Sequence, residues 1–183
     1  MMTGDAEPAA NNEAQAAAES MKTTPALRGG TLKSAAPQPA AEPCPRRALV
    51  IDDEPANRDF LIRLLEQAKL EVLGAESGEA ALKIADSIGT LALVVIDHRL
   101  PDMDGVDLLV KLHEKYPDAR MIMATMLDER ALMAKAFENG CNVFLVKPHG
   151  FMELFRRLQL YGPDDEELNR MIIDQYGLRP YRG

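Results

Sequence analysis

The sequence predicts an α/β domain built on a doubly wound, five-stranded parallel sheet with helices on both faces. Continuous apolar runs at 48–51 (Ala-Leu-Val-Ile), 93–96 (Leu-Val-Val-Ile), 121–124 (Met-Ile-Met-Ala) and 143–146 (Val-Phe-Leu-Val) lack the alternation of a strand with one wet face. They read as strands buried on both sides, as parallel sheets require. Amphipathic stretches separate them, which gives repeated strand–helix units and right-handed crossovers. At or just after the end of each run stands a polar side chain: Asp52 and Asp53, Asp97, Thr125 and Lys147. In open α/β sheets that edge, near the point where strand order reverses, is where ligands bind.

The first helix follows the first strand, with Pro55 suited to its first turn and Phe60, Leu61, Leu64, Leu65 and Ala68 as its apolar stripe. A short strand over 71–75 follows. Ser77 is a natural N-cap for a helix carrying Ala81, Ile84, Ala85 and Ile88. Beyond Asp97, residues 101–105 form a turn, and a helix over 106–116 places Val106, Leu109, Val110 and His113 at helical spacing. Pro117 stops it. Further helices are expected over 128–138 and 151–160, flanking the last strand.

Residues 1–45 are rich in Ala and Pro with few large apolar side chains. Such a segment buries too little surface to offset its ordering entropy, so a disordered tail and linker is expected, with a transient Ala-rich helix over 12–22. The formal net charge of -8 and the lack of a basic run argue against general nucleic-acid binding. No apolar run approaches a membrane span and the N-terminus does not read as a secretion signal, so no membrane association and a cytoplasmic setting are expected. Cys44 and Cys141 have neither metal-ligand spacing nor a disulfide framework; Cys141 reads as a small apolar residue.

Residues 46–161 resemble the receiver domain of bacterial two-component response regulators, in particular the stand-alone, chemotaxis-type receivers. The resemblance rests on the acid pair Asp52-Asp53, the Asp97-xxx-Pro101-xxx-Gly105 turn, Thr125 and Lys147-Pro148, in that order, on those elements and at those spacings. It implies a flavodoxin-like fold with strand order 2-1-3-4-5. It further implies that Asp97 is the phosphoacceptor, receiving its phosphoryl group from a histidine kinase or phosphotransfer protein. A carboxylate can attack without a general base because it is already ionised. Three clustered carboxylates repel one another, and Mg²⁺ (or Mn²⁺) relieves this with oxygen coordination. The implied ligands are Asp52, Asp53, Asp97 and the backbone carbonyl of Arg99.

Phosphoryl transfer needs alignment and charge neutralisation more than covalent help. The resemblance gives Lys147 and Thr125 that work, implies a cis Lys147-Pro148 peptide, and makes Thr125 and Phe144 the switch pair. Phosphorylation then reshapes the face formed by the fourth helix, fifth strand and fifth helix, where a downstream protein docks; a homodimer is also open. Met126 stands where the family has a small residue and is expected to narrow access to Asp97, while Arg99 and Leu127 are expected to tune the phosphoryl lifetime. His98 points to the opposite face by strand alternation and is not read as a relay histidine.

Residues 162–183 are too few for a DNA-binding or enzymatic effector domain. Pro163 and the acidic residues 164–167 suit a helix start, with Leu168, Met171, Ile172 and Tyr176 as a short amphipathic stripe. The expected activity is self-phosphorylation from a donor, with autodephosphorylation left open, not turnover of an external substrate. Two other classes are open. An aspartyl phosphatase would carry its nucleophile after the first strand, unlike Asp97. A phosphorylation-independent, receiver-like binding module would need no complete site.

Overall fold

In the computed structural model, residues 46–183 are described. The expectations for the 1–45 tail, the 12–22 helix and Cys44 concern residues outside that range. The first strand, β1 (Arg47–Ile51), is apolar and buried from Ala48 onward, as a strand flanked by strands and covered by helices on both faces requires. It is followed by α1 (Pro55–Gln67), β2 (Glu71–Ala75), α2 (Gly78–Ser87), β3 (Leu93–Asp97) and α3 (Gly105–Lys115). Then come β4 (Arg120–Thr125), α4 (Arg130–Glu138), β5 (Val143–Val146) and α5 (Gly150–Tyr161). β1 to β5 are parallel in the order 2-1-3-4-5, the doubly wound flavodoxin-like arrangement.

Strand alternation divides the core in two. Leu49, Ile51, Val94, Ile96, Met121, Met123 and Phe144 pack with α2, α3 and α4. Val50, Leu93, Val95, Ile122 and Leu145 face α1 and α5. The helix stripes follow expectation with local exceptions. Ser77 caps α2 by accepting from the Ala80 N–H at 3.2 Å. On α1, Leu61, Leu64 and Leu65 are buried, whereas Phe60 is 45% exposed. On α3, Leu108 and Leu112 take buried places that the stripe through Val110 and His113 did not include. Among the described residues no helix is long and apolar enough to cross a membrane.

The C-terminal segment departs from expectation. No amphipathic helix forms there; β6 (Met171–Asp174) and β7 (Gly177–Pro180) make a hairpin instead. β6 pairs parallel with β5, giving a seven-stranded sheet ordered 2-1-3-4-5-6-7. The run Met171-Ile172-Ile173 explains this: Ile172 and Ile173 both require burial, and only a strand sends adjacent residues to opposite cores. Ile172 joins the α4 side and Ile173 the α5 side. Leu168, Ile172 and Ile173 are buried, worth roughly 1.5–3 kcal/mol each, so the hairpin belongs to the domain rather than lying loosely on it.

Two arginines fix the approach to β6. Arg120 donates to the carbonyls of Asp165 (2.8 Å), Leu168 (2.6 Å) and Pro163 (3.3 Å). Arg157 pairs with buried Asp165 at 2.8 Å and with Glu167 at 2.5 Å. The new edge is also protected against further pairing. Tyr181 N–H donates to the Arg170 carbonyl, so by antiparallel alternation Leu178 and Pro180 turn their backbone groups outward. Pro180 has no N–H to offer there, a device that blunts sheet edges.

Candidate functional site

The switch point lies between β1 and β3, from which the chain winds toward β2 on one side and β4 on the other. Ile51 is in register with Ile96, so Asp52 and Asp97 emerge side by side. Asp97 is level with Ala124, and Thr125 with Val146, which brings Thr125 and Lys147 to the same edge. Asp52, Asp53, Asp97, Thr125 and Lys147 thus share one end of the sheet, as the sequence reading expected.

Lys147 lies at the centre. Its Nζ is 2.6 Å from Asp52 Oδ2 and 3.1 Å from Asp97 Oδ1, with side chains 4%, 2% and 17% exposed. Asp52 Oδ1 accepts from the Glu54 N–H (3.0 Å), and its backbone carbonyl accepts from Arg58 (2.8 Å). Asp97 Oδ1 accepts from the His98 N–H at 2.9 Å. Burial pushes the Asp97 carboxyl above its ordinary value; Lys147 opposes that rise, and the charge of Asp52 adds to it. Carboxylate oxygens of Asp52, Asp53 and Asp97 all lie within 4.8 Å of one another, an arrangement that could hold a metal ion. The donor set fits a hard divalent cation, being all oxygen and carrying more negative charge than Lys147 alone offsets.

The Thr125 hydroxyl accepts from the Leu127 N–H (3.1 Å), which leaves its own O–H free to donate. The Lys147-Pro148 peptide is cis. Gly105 closes the turn after Asp97: a Cβ there would lie 2.2 Å from the Asp97 carbonyl oxygen, so no side chain fits. Its N–H donates to the His98 carbonyl, and a bridge between Arg99 and Asp104 completes the loop. Asp102 then reaches α2, accepting from the Gly78 and Glu79 N–H groups at 2.9 and 2.7 Å.

The neighbours of the site sit as follows. Met126, just after Thr125, is 67% exposed. Leu127 is partly buried against the core on the α2, α3 and α4 side, while Arg99 is exposed. Phe144 is fully buried, with Phe137 of α4 6.5 Å away and Ile172 of β6 beside it in register. The expected docking face of α4, β5 and α5 is changed as well, because β6 covers the edge of β5. His98 places Nδ1 3.8 Å from Asp104. Cys141 is buried, its thiol pushed up to about 12 by burial, which makes it unreactive packing. Sequence reasoning missed Arg58 and Asp102, which brace the site from α1 and toward α2. Their only trace in the chain is position, shortly after the acid pair and inside the turn that follows Asp97.

An acid cluster with a buried lysine at the switch point of a 2-1-3-4-5 sheet is the architecture of a phosphoryl-signalling receiver. Residues 48–159 match the model of the response regulator receiver domain, and the chain belongs to that family. It is 32% identical over 111 residues to the transcriptional regulatory protein SrrA of Staphylococcus aureus (strain NCTC 8325 / PS 47). That match covers 61% of this chain and 45% of SrrA, so the chain spans about half the length of this curated relative. A CheY-like receiver domain protein from Methanospirillum hungatei JF-1 superposes with a TM-score of 0.60 and 26% identity, covering 67% of this chain and 98% of that one. A Burkholderia pseudomallei response regulator with a phosphorylated aspartic acid, calcium ion and citrate is 28% identical at a TM-score of 0.57, covering 65% and 69%.

Proposed function

We propose that this receiver accepts a phosphoryl group on Asp97 from a phosphohistidine of a histidine kinase or phosphotransfer protein, in the cytoplasm. The aspartyl phosphate then alters protein–protein contacts. In the transfer a carboxylate oxygen of Asp97 forms the new bond to phosphorus, the phosphorus–nitrogen bond breaks, and the histidine nitrogen keeps the electron pair. The observation that carries this reading is the Asp97 carboxylate itself, partly exposed and paired with the buried Lys147 that also holds Asp52.

Asp52, Asp53 and Asp97, with the Arg99 carbonyl, would hold Mg²⁺ or Mn²⁺. When bound, the cation neutralises charge on the carboxylates and on the phosphoryl oxygens. Lys147 supplies a fixed positive charge beside the attacking oxygen at no reorganisation cost. The Thr125 O–H donates to a phosphoryl oxygen, and its shift would carry the change into the loop leading to α4. Turnover is confined to this group on the protein's own aspartate, with water as the acceptor when it leaves.

The test is incubation of the protein with a panel of autophosphorylated histidine kinases, with and without Mg²⁺. The expected result is a Mg²⁺-dependent gain of one phosphoryl group that Asp97→Asn abolishes. Failure of every donor, together with failure of beryllofluoride to perturb the Asp97 region, would instead leave a phosphorylation-independent binding module.

A further inference from the structure

Asp52 is tied through every polar group it has. Its N–H donates to the Ala75 carbonyl at 3.1 Å, Oδ1 accepts from the Glu54 N–H and Oδ2 from Lys147. Its carbonyl accepts from Arg58 Nη1 at 2.8 Å. The last bond is the one the sheet does not supply. Pairing of β1 with β2 ends at Ile51 and Ala75, and just beyond it the chain turns out of the sheet toward α1. A peptide oxygen at such a bend, left without a donor, can swing about its flanking dihedrals, and the next side chain swings with it. That side chain is Asp53.

Asp53 needs such control. Lys147 lies 2.6 Å from Asp52 and 3.1 Å from Asp97, and so draws those two carboxylates together. Asp53 is exposed, yet its carboxylate comes within 4.8 Å of theirs, against the repulsion of two like charges. The peptide that joins it to Asp52 sets the direction in which it leaves, and the oxygen of that peptide is the one Arg58 holds.

The sequence places Arg58 for this task. It is the fourth residue of α1, and helical side chains lean toward the N-terminus, which carries its guanidinium back to the end of β1. Its stem passes β2 where Gly74 leaves room: a Cβ there would lie 2.8 Å from Ile62 Cδ1 and 3.3 Å from Arg58 Cδ. A charged donor also holds a carbonyl more firmly than a neutral one.

We infer that Arg58 is a positioning residue for the divalent cation, fixing the Asp52–Asp53 peptide so that Asp53 completes the oxygen set with Asp52 and Asp97. This rests on the cation site of the proposed function and not on which donor phosphorylates Asp97. The sign of the effect separates positioning from simple electrostatics. A guanidinium beside an acid cluster repels a second cation, so on charge alone its removal tightens Mg²⁺ binding. On positioning, its removal loosens Mg²⁺, by roughly tenfold for a group that orients a ligand from outside.

The experiment titrates the isotope-labelled full chain with Mg²⁺ and follows its amide and carbonyl resonances by NMR in wild type, Arg58→Met and Arg58→Lys. Met keeps the aliphatic stem beside Gly74 and is a good helix former, so the variant keeps the fold, which far-ultraviolet circular dichroism checks. Arg58→Met should raise the Mg²⁺ Kd about tenfold. The Asp52 carbonyl carbon and the Asp53 amide should already move without metal, whereas the far end of α1 should not. Arg58→Lys returns a charged donor and should recover part of both effects. A Kd in Arg58→Met equal to or below that of wild type, or a Lys variant no better than the Met variant, would overturn the positioning role and leave the cation site standing. Wild-type resonances of Asp52, Asp53 and Asp97 that do not respond to Mg²⁺ would instead overturn the cation site and this role with it.

Discussion

Replacing Lys147 by Met tests whether the lysine holds the acid cluster together. Met keeps much of the aliphatic stem but removes the ammonium that lies 2.6 Å from Asp52 and 3.1 Å from Asp97. Asp52 Oδ2 then loses the ammonium it accepts from, inside a site where the Asp52 side chain is only 2% exposed. Breaking a buried pair by removing one partner costs about 3–5 kcal/mol. Asp97 can take up a proton to relieve part of this, because its carboxyl is already raised by burial, which places the expected loss near the lower end, at about 3 kcal/mol. Mg²⁺ should shrink the deficit, because loss of the competing ammonium makes the variant bind the cation more tightly than wild type does, and each tenfold gain in affinity over wild type returns about 1.4 kcal/mol at saturating Mg²⁺. The chain has no tryptophan, so the assay is urea unfolding followed by far-ultraviolet circular dichroism, with and without Mg²⁺. A metal-free variant within about 0.5 kcal/mol of wild type, or a deficit that Mg²⁺ does not reduce, would refute the reasoning.

Three further outcomes follow from the same geometry. The raised Asp97 carboxyl means that its ionised form is penalised in the folded state; the penalty is complete above the folded pKa and relieved as pH falls through it toward the unfolded value. Asp97→Asn should therefore raise the metal-free urea midpoint at neutral pH, by an amount that shrinks in acid; a lower midpoint at neutral pH would contradict this. Gly105→Ala places a Cβ 2.2 Å from the Asp97 carbonyl and should cost more than about 2 kcal/mol while lowering phosphoryl uptake, checked by unfolding and by mass gain; unchanged values for both would be the opposing result. Arg120→Ala releases three carbonyls of the approach to β6 and should cost about 2–3 kcal/mol, with faster hydrogen exchange over 163–174 than over β1 and β3; uniform exchange would contradict it.

The central sheet was legible because its strands are buried on both faces and announce themselves as unbroken apolar runs, and the polar residue that ends each run marks the edge where ligands gather. The order and spacing of Asp52, Asp53, Asp97, Thr125 and Lys147 then carried the resemblance to the family. The hairpin was not legible in the same way. Acidic residues at 164–167 imitate a helix start, yet Asp165 and Glu167 serve Arg157, a partner that no local pattern reveals. Better weight on the β-branched pair Ile172-Ile173, the Tyr176-Gly177 turn and Pro180 would have suggested strands. Phe144 was placed correctly on β5, but its surroundings depend on Ile172, 28 residues later in the chain, and so were beyond any reading of neighbours.

The most direct measurement is to phosphorylate the protein in Mg²⁺ with an active donor, reduce it with borohydride, and map the product by tandem mass spectrometry. An aspartyl phosphate is reduced to homoserine, so the account predicts homoserine at position 97 and unmodified aspartate at 52 and 53. Homoserine at either of those positions, or phosphate retained on another residue with Asp97 unchanged, would contradict it.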